Sequence, residues 1–319
     1  VKIGLGLWLR STAAGRAAIS LGFLSGTLDP RITFTRASTG MVTNSAGTLV
    51  TAAVDVPRFD HDPVTLQPKG LLIEGARTNV LLGSAAPVTQ NVTVTAQIYT
   101  LSFYGTGSIA LSGVHVATLV GTGATNRVTL AFTPTAGTLT LTVTGSVTVG
   151  QLEAGAFASS PIVTTASSVT RAADVAVMTG ANFSSWYNAS EGAFVLDFGV
   201  ANGVVGGVGN LFDDTQYFSA SVGAVEIRSG AAISASLVIG SAANSKVAWA
   251  YKVDDFAACR NGGALQIDAL GPVPVGPVRL AIGSNPWATD GGSSIFGHIR
   301  RLDYYRTRLP NSELQRLTA

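Results

Sequence analysis

The chain has 319 residues, a length that suits two domains or three small ones. Only 12% of its residues are charged, the formal net charge is +2 and the mean hydropathy is +0.37, whereas soluble domains average about 25% charged residues. Lys and Arg are scattered, which argues against a nucleic-acid partner. The most apolar long stretch, 193–212, is glycine-rich and broken by Asp197, which argues against membrane insertion.

Residues 1–25 read as an apolar N-terminal docking arm, in which Val1, Ile3, Leu5, Leu7 and Leu9 alternate and Trp8 is a further docking residue. The apolar run is short and ends at Arg10, so neither a signal peptide nor an anchor is expected. Residues 26–84 are richer in Pro, Asp and Arg and read as an irregular segment. Residues 85–175 read as a Thr/Val-rich β-sandwich followed by a Ser/Thr/Ala linker. In Thr138-Leu139-Thr140-Leu141-Thr142-Val143-Thr144 the apolar side chains point one way and the hydroxyls the other. Tyr99–Phe103 and Arg127–Phe132 alternate in the same manner, and Pro134–Gly137 marks a turn between strands. Such strands have one buried and one wet face.

Residues 176–319 read as a jelly roll of short strands: Ala193–Val200, Tyr217–Ala220, Ala224–Arg228, Leu237–Ile239, Lys246–Lys252, Ala264–Ile267, Val278–Gly283 and His298–Tyr305. Val247, Trp249 and Tyr251 form the inward set of one of them. A short C-terminal helix follows Pro310, with Ser312-Glu313-Leu314-Gln315 fitting a capping box. The fold class is therefore all-β: tandem sandwich and jelly-roll domains, an N-terminal arm and a short terminal helix. A weakly charged, apolar chain of this kind is expected to hide surface by oligomerisation or by docking on a larger assembly.

Cys259 is the only cysteine, so no intramolecular disulfide can form. With only His61, His115 and His298 beside it, a structural zinc site is not expected. If the protein works outside cells, this pattern fits folding in a reducing cytosol first.

Two motif strings carry a resemblance. Arg31-Ile32-Thr33-Phe34-Thr35-Arg36-Ala37-Ser38-Thr39-Gly40, Pro57-Arg58-Phe59-Asp60-His61-Asp62-Pro63-Val64 and Pro68-Lys69-Gly70-Leu71-Leu72-Ile73-Glu74-Gly75-Ala76-Arg77-Thr78-Asn79 resemble the motif set of head-spike and fibre proteins of bacteriophages and gene-transfer particles. Gln151-Leu152-Glu153-Ala154-Gly155 through Thr170-Arg171-Ala172-Ala173-Asp174 resembles the close of their carbohydrate-binding-like sandwich. The C-terminal region, ending in Gly297–Tyr305 and Ser312–Leu317, is similar to concanavalin A-like (laminin-G-type) jelly rolls. The resemblance implies a virion surface protein, with capsid, portal-proximal or fibre chains as partners. It also implies a homotrimer and adhesion to host surface polysaccharide. It carries no defined set of ligand residues.

Candidate sites therefore come from the residues alone. Trp186-Tyr187-Asn188 and Asn285-Pro286-Trp287-Ala288-Thr289-Asp290 offer an aromatic plus amide or carboxylate groups, as a sugar contact needs. Tyr187, Asn188, Asn285, Trp287 and Asp290 are the candidates, with local packing or a subunit interface as the alternative. Asp213-Asp214 and Asp254-Asp255 could supply oxygen ligands to calcium, the one cofactor considered; acidic residues in hairpin turns are the alternative. Asp60-His61-Asp62 precedes Pro63 and reads as a turn rather than as a catalytic group. Arg31, Arg36, Arg58 and Arg77 with Asp60, Asp62 and Glu74 read as a paired network fixing the irregular segment. No catalytic set is expected: Glu191 and Asp197 lack a third acid, and no nucleophile-elbow, phosphate-loop or zinc-protease motif occurs.

Overall fold

The computed structural model describes residues 15–200, 208–211, 216–221, 223–229, 232–240, 242–284 and 294–319. Its architecture is all-β, with two sandwiches and two short helices, Gly180–Ser184 and Asn311–Thr318. The docking residues Leu5, Leu7, Trp8 and Leu9 lie outside the described residues.

The smaller sandwich packs a four-stranded sheet on a three-stranded one. The first runs Ala117–Val120, Ser108–Gly113, Gly137–Thr144, Gln90–Val94, and the second Gly123–Phe132, Tyr99–Gly105, Val147–Ala154. The alternation sets the core: Leu139 and Leu141 are fully buried while Thr138, Thr142 and Thr144 are exposed. Tyr99–Gly105 departs from that pattern, because Thr100 and Ser102 are buried on the face expected to be wet. The segment after Ala154 and the Arg127 side chain of the neighbouring strand tie them down. Thr100 Oγ1 donates to the Gly155 carbonyl at 2.7 Å, and Arg127 Nη2 donates to Ser102 Oγ at 2.8 Å.

The larger sandwich faces an eight-stranded sheet against a seven-stranded one. The first is ordered Gln266–Asp268, Phe256–Arg260, Asn244–Lys252, Glu191–Val200, Gly297–Tyr305, Pro68–Ile73, Phe59–His61, with Ile19–Gly22 also paired to Gly297–Tyr305. The second is ordered Thr33–Thr35, Val175–Thr179, Arg279–Ile282, Val208–Leu211, Gln216–Ala220, Ala224–Ser229, Ala232–Val238. The eight strands read from the sequence all have counterparts here. Val247, Trp249 and Tyr251 point into the sandwich, where Trp249 stacks on Phe194 at 4.8 Å and Tyr251 meets Phe218 at 4.2 Å.

Two segments differ from the reading by pattern. Residues 26–84 supply strands to both large sheets, and Ile19, Leu21 and Phe23 from the apolar arm are buried in the same core. Three-residue strands such as Thr33–Thr35 are too short to show a period, so they did not read as strands. The terminal helix starts at Asn311 with Pro310 at its N-cap and no side-chain cap bond. Gln315, the residue that would close a capping box on Ser312, donates instead to the Gly263 carbonyl at 2.9 Å. The helix packs Leu314 onto Ala193, Ala248, Ala250 and Ala257, the outer face of the eight-stranded sheet. Small alanines let it approach closely and explain why that strand face is buried as well.

Gly70 shows how tightly the motif segment is built in. Its φ is +109°, and a Cβ there would lie 2.3 Å from the Ile299 carbonyl oxygen, on a strand that pairs Ile299 with Leu71. Gly70→Ala is expected to cost more than about 2 kcal/mol, through backbone strain plus loss of that pairing. Urea denaturation followed by circular dichroism measures it; a cost under about 0.5 kcal/mol would show that the two strands can part cheaply.

Candidate functional site

The resemblance-bearing motifs meet in one place. Asp174, at the end of the second string, is fully buried between two arginines of the first. Arg36 Nη1 donates to Asp174 Oδ1 at 3.1 Å, and Arg58 Nη2 donates to Asp174 Oδ2. Asp174 Oδ2 also accepts the Glu74 amide at 2.9 Å. Glu74 lies 2.8 Å from Arg58 and 3.5 Å from Arg171, and it accepts both the amide and the hydroxyl of Ser160. Burial alone would raise the Glu74 carboxyl, but Arg171, Arg58 and Ser160 hold it down at about 2. Arg36 further donates to the carbonyls of Ser38, Ala53 and Val56.

This network joins the two sandwiches. Asn79 bonds Gly150, Ile162, Leu81 and Leu152 through one buried amide group. Gln151 and Glu153 of the smaller sandwich hold Ser159 and Ile162. Arg77 lies over Phe296 at 4.5 Å and Phe157 at 5.1 Å, placing one ring from each side on the same guanidinium. The paired-network reading thus holds for Arg36, Arg58 and Glu74. Of the other members, Arg77 and Asp60 also reach distant partners, Glu153 and His298, while Arg31 and Asp62 act locally. Arg31 bridges to Asp29 at 2.7 Å, and Asp62 Oδ1 accepts the amides of Val64 and Thr65 in a turn.

Beside the network opens a cleft of about 200 Å³, walled by Thr43, Asp60, His61 and Lys69 on one side, by Tyr104, Arg127 and Ser159 on another, and closed by Phe296 and His298. Asp60 Oδ2 accepts from His298 Nε2 at 2.8 Å and from Lys69 Nζ at 3.0 Å. Burial pushes the His298 imidazole down, with Asp60 opposing, so the ring is neutral near pH 7 and acts as a hydrogen-bond donor. Burial would raise Asp60, yet His298 and Lys69 hold it below the usual carboxylate range. Phe296 has φ +44°, a left-handed backbone that a side-chain-bearing residue seldom adopts and that recurs at functional sites.

The other candidates fall elsewhere. Asn285, Trp287, Asp290, Asp213 and Asp214 lie outside the described residues. Tyr187 and Asn188 are built into the packing: Tyr187 stacks on Phe183 at 4.9 Å, and the Asn188 carbonyl accepts both the Tyr251 and Tyr304 hydroxyls. The Asn188 amide group donates to Arg306 O and accepts from Ser190 N, which leaves little of it for a sugar. Asp254 sits at φ +56° in a hairpin turn and accepts the Gly271 amide, while Asp255 bridges to Arg308 at 2.8 Å. Both therefore serve the turn reading, and no group of three or more His, Cys, Asp or Glu side chains that could hold a metal occurs among the described residues. Asp197 bridges to Arg300 at 2.7 Å, and Glu191 accepts the Arg308 amide. Sequence reasoning missed Lys69 and His298 as partners of Asp60, and Arg127 in the same cleft, since His298 is 238 positions away and nothing local announces that pairing.

No protein-family model and no curated protein matches the chain. Among solved structures, it is similar to the CBM40 of the Ruminococcus gnavus IT-sialidase bound to α2,6-sialyllactose, at 14% identity and TM-score 0.37 over 43% of this chain and 88% of that one. Domain 4 of AbnA, a GH43 extracellular arabinanase from Geobacillus stearothermophilus in complex with arabinotriose, aligns at 12% identity and TM-score 0.35 over 51% of this chain and 81% of that one.

Proposed function

We propose that the chain is a non-enzymatic surface component of a phage particle, a head spike or fibre that displays β-sandwiches for adhesion to host surface polysaccharide. The observation that carries this reading is the use made of the motif residues. Arg36, Arg58, Glu74, Arg171 and Asp174 are all buried and pair with one another, so the most specific strings of the sequence build a rigid junction and leave no free acid–base pair there. A junction of this kind suits a protein that transmits load between stacked modules. Weak sites on many copies then give avidity without tight single-site binding.

Assembly with further copies or with other virion proteins has its own support. Leu270, Val275 and Val278, close together in sequence between two strands of the larger sandwich, are 75%, 69% and 65% exposed, apolar side chains that a partner would cover. A homotrimer is the form proposed, with Leu5, Leu7, Trp8 and Leu9 of the N-terminal arm as the docking residues.

The full chain, presented multivalently on a glycan array, is expected to retain bacterial surface polysaccharides and to leave their length unchanged. Retention of none of them would favour a purely structural decoration or baseplate role; shortened polymer would establish a depolymerase.

A further inference from the structure

The cleft between the sandwiches is lined by two cations, Lys69 and Arg127, and two carboxylates, Asp60 and Glu74. Asp60 is answered by Lys69 and His298, and Glu74 by Arg58 and Arg171 behind the wall. Arg127 is the lining cation whose terminal nitrogens go to neutral oxygens: Nη1 to the Ser159 carbonyl at 2.6 Å and Nη2 to the Ser102 hydroxyl. Its Nε is buried with no hydrogen-bond partner. Glu153 acts on it through space only, and a guanidinium whose hydrogen bonds all go to neutral oxygens can still take a carboxylate.

The geometry points to this cleft as a binding site for a carboxylate-bearing saccharide unit, a reading that rests on the polysaccharide adhesion proposed above. Lys69, with its side chain 42% exposed at the mouth, and Arg127 in the wall supply the charge for the carboxylate. His61, Thr43 and Tyr104 line the same space with polar atoms for ring hydroxyls, and Phe296 offers a ring face. A few convergent polar groups around an aromatic wall, placed between domains, are the usual make-up of a small-molecule site. The strained backbone of Phe296 marks the same spot independently.

The test titrates the full chain with glucuronate, glucose and acetate, following chemical shifts by NMR. Glucuronate is expected to bind at least tenfold more tightly than either of the others. Lys69→Gln should weaken it at least fivefold, and Arg127→Leu, if folded by near-UV circular dichroism, by more. Equal binding of acetate would reduce the cleft to an anion site, and equal binding of glucose would remove the charge argument; either overturns the proposal. Glucuronate binding untouched by Lys69→Gln would place the sugar elsewhere, overturning this site while leaving adhesion standing. Failure of all three ligands would overturn this site too, and glycan-array retention would then decide adhesion separately.

Discussion

Asp174→Ala is expected to destabilise the chain by about 3–5 kcal/mol, the range seen when one partner of a buried ion pair is removed. Asp174 is fully buried, and its carboxylate answers Arg36, Arg58 and the Glu74 amide together. Without it, Arg36 is left with carbonyl partners only, while Arg58 retains Glu74. Arg31→Ala is the control: its pair with Asp29 is exposed, the Arg31 side chain at 38%, so its loss should cost less than about 1 kcal/mol. Equilibrium urea unfolding of the two variants gives the comparison. A double replacement, Arg36→Met with Asp174→Leu, should cost less than the sum of the single changes, because neither leaves the other's charge stranded. Additive costs would mean that the two side chains act apart and that the junction is not one network.

Much of the fold was legible because burial leaves a period in the sequence. The seven-residue run 138–144 and the inward set Val247, Trp249 and Tyr251 were readable since one face meets a core. Tyr99–Phe103 was readable as a strand but not as one covered on both faces: Thr100 bonds Gly155, 55 positions on, and Ser102 bonds Arg127, 25 positions on. The same limit hid the placement of residues 26–84. Strand Phe59–His61 pairs only locally with Pro68–Ile73, and that pair joins the large sheet through Gly297–Tyr305. Charges in a charge-poor chain did announce the network of Arg36, Arg58 and Glu74. Its central acid was not announced, because Asp174 pairs across 138 positions with Arg36 and 116 with Arg58. Asp60 drew notice for its neighbours His61 and Asp62, yet its working partners are Lys69 and His298.

The junction should also make the protein acid-labile. Glu74 titrates at about 2 in the folded chain against 4.5 ordinarily. A depressed carboxylate contributes stability that is complete above its unfolded value and is lost as the pH falls through the folded one. The window is therefore about pH 4.5 down to 2, and at about 1.4 kcal/mol per pH unit Glu74 alone accounts for roughly 3 kcal/mol. Asp60, depressed as well, acts with the same sign. His298 adds an earlier loss: its folded imidazole resists the proton that the unfolded one accepts below about pH 6.5, so stability begins to fall there. Glu153 opposes them, since burial raises its carboxyl and acid therefore favours its folded form. The net direction is downward, because one raised carboxyl faces two depressed ones and a buried neutral histidine. Urea midpoints measured from pH 7 to pH 3 should fall steadily for the native sequence. Glu74→Gln should start lower at pH 7 and fall less steeply below pH 4.5. Parallel curves for the two proteins would show that Glu74 does not set the acid limit, and a flat native curve would remove the ionic account of the junction altogether.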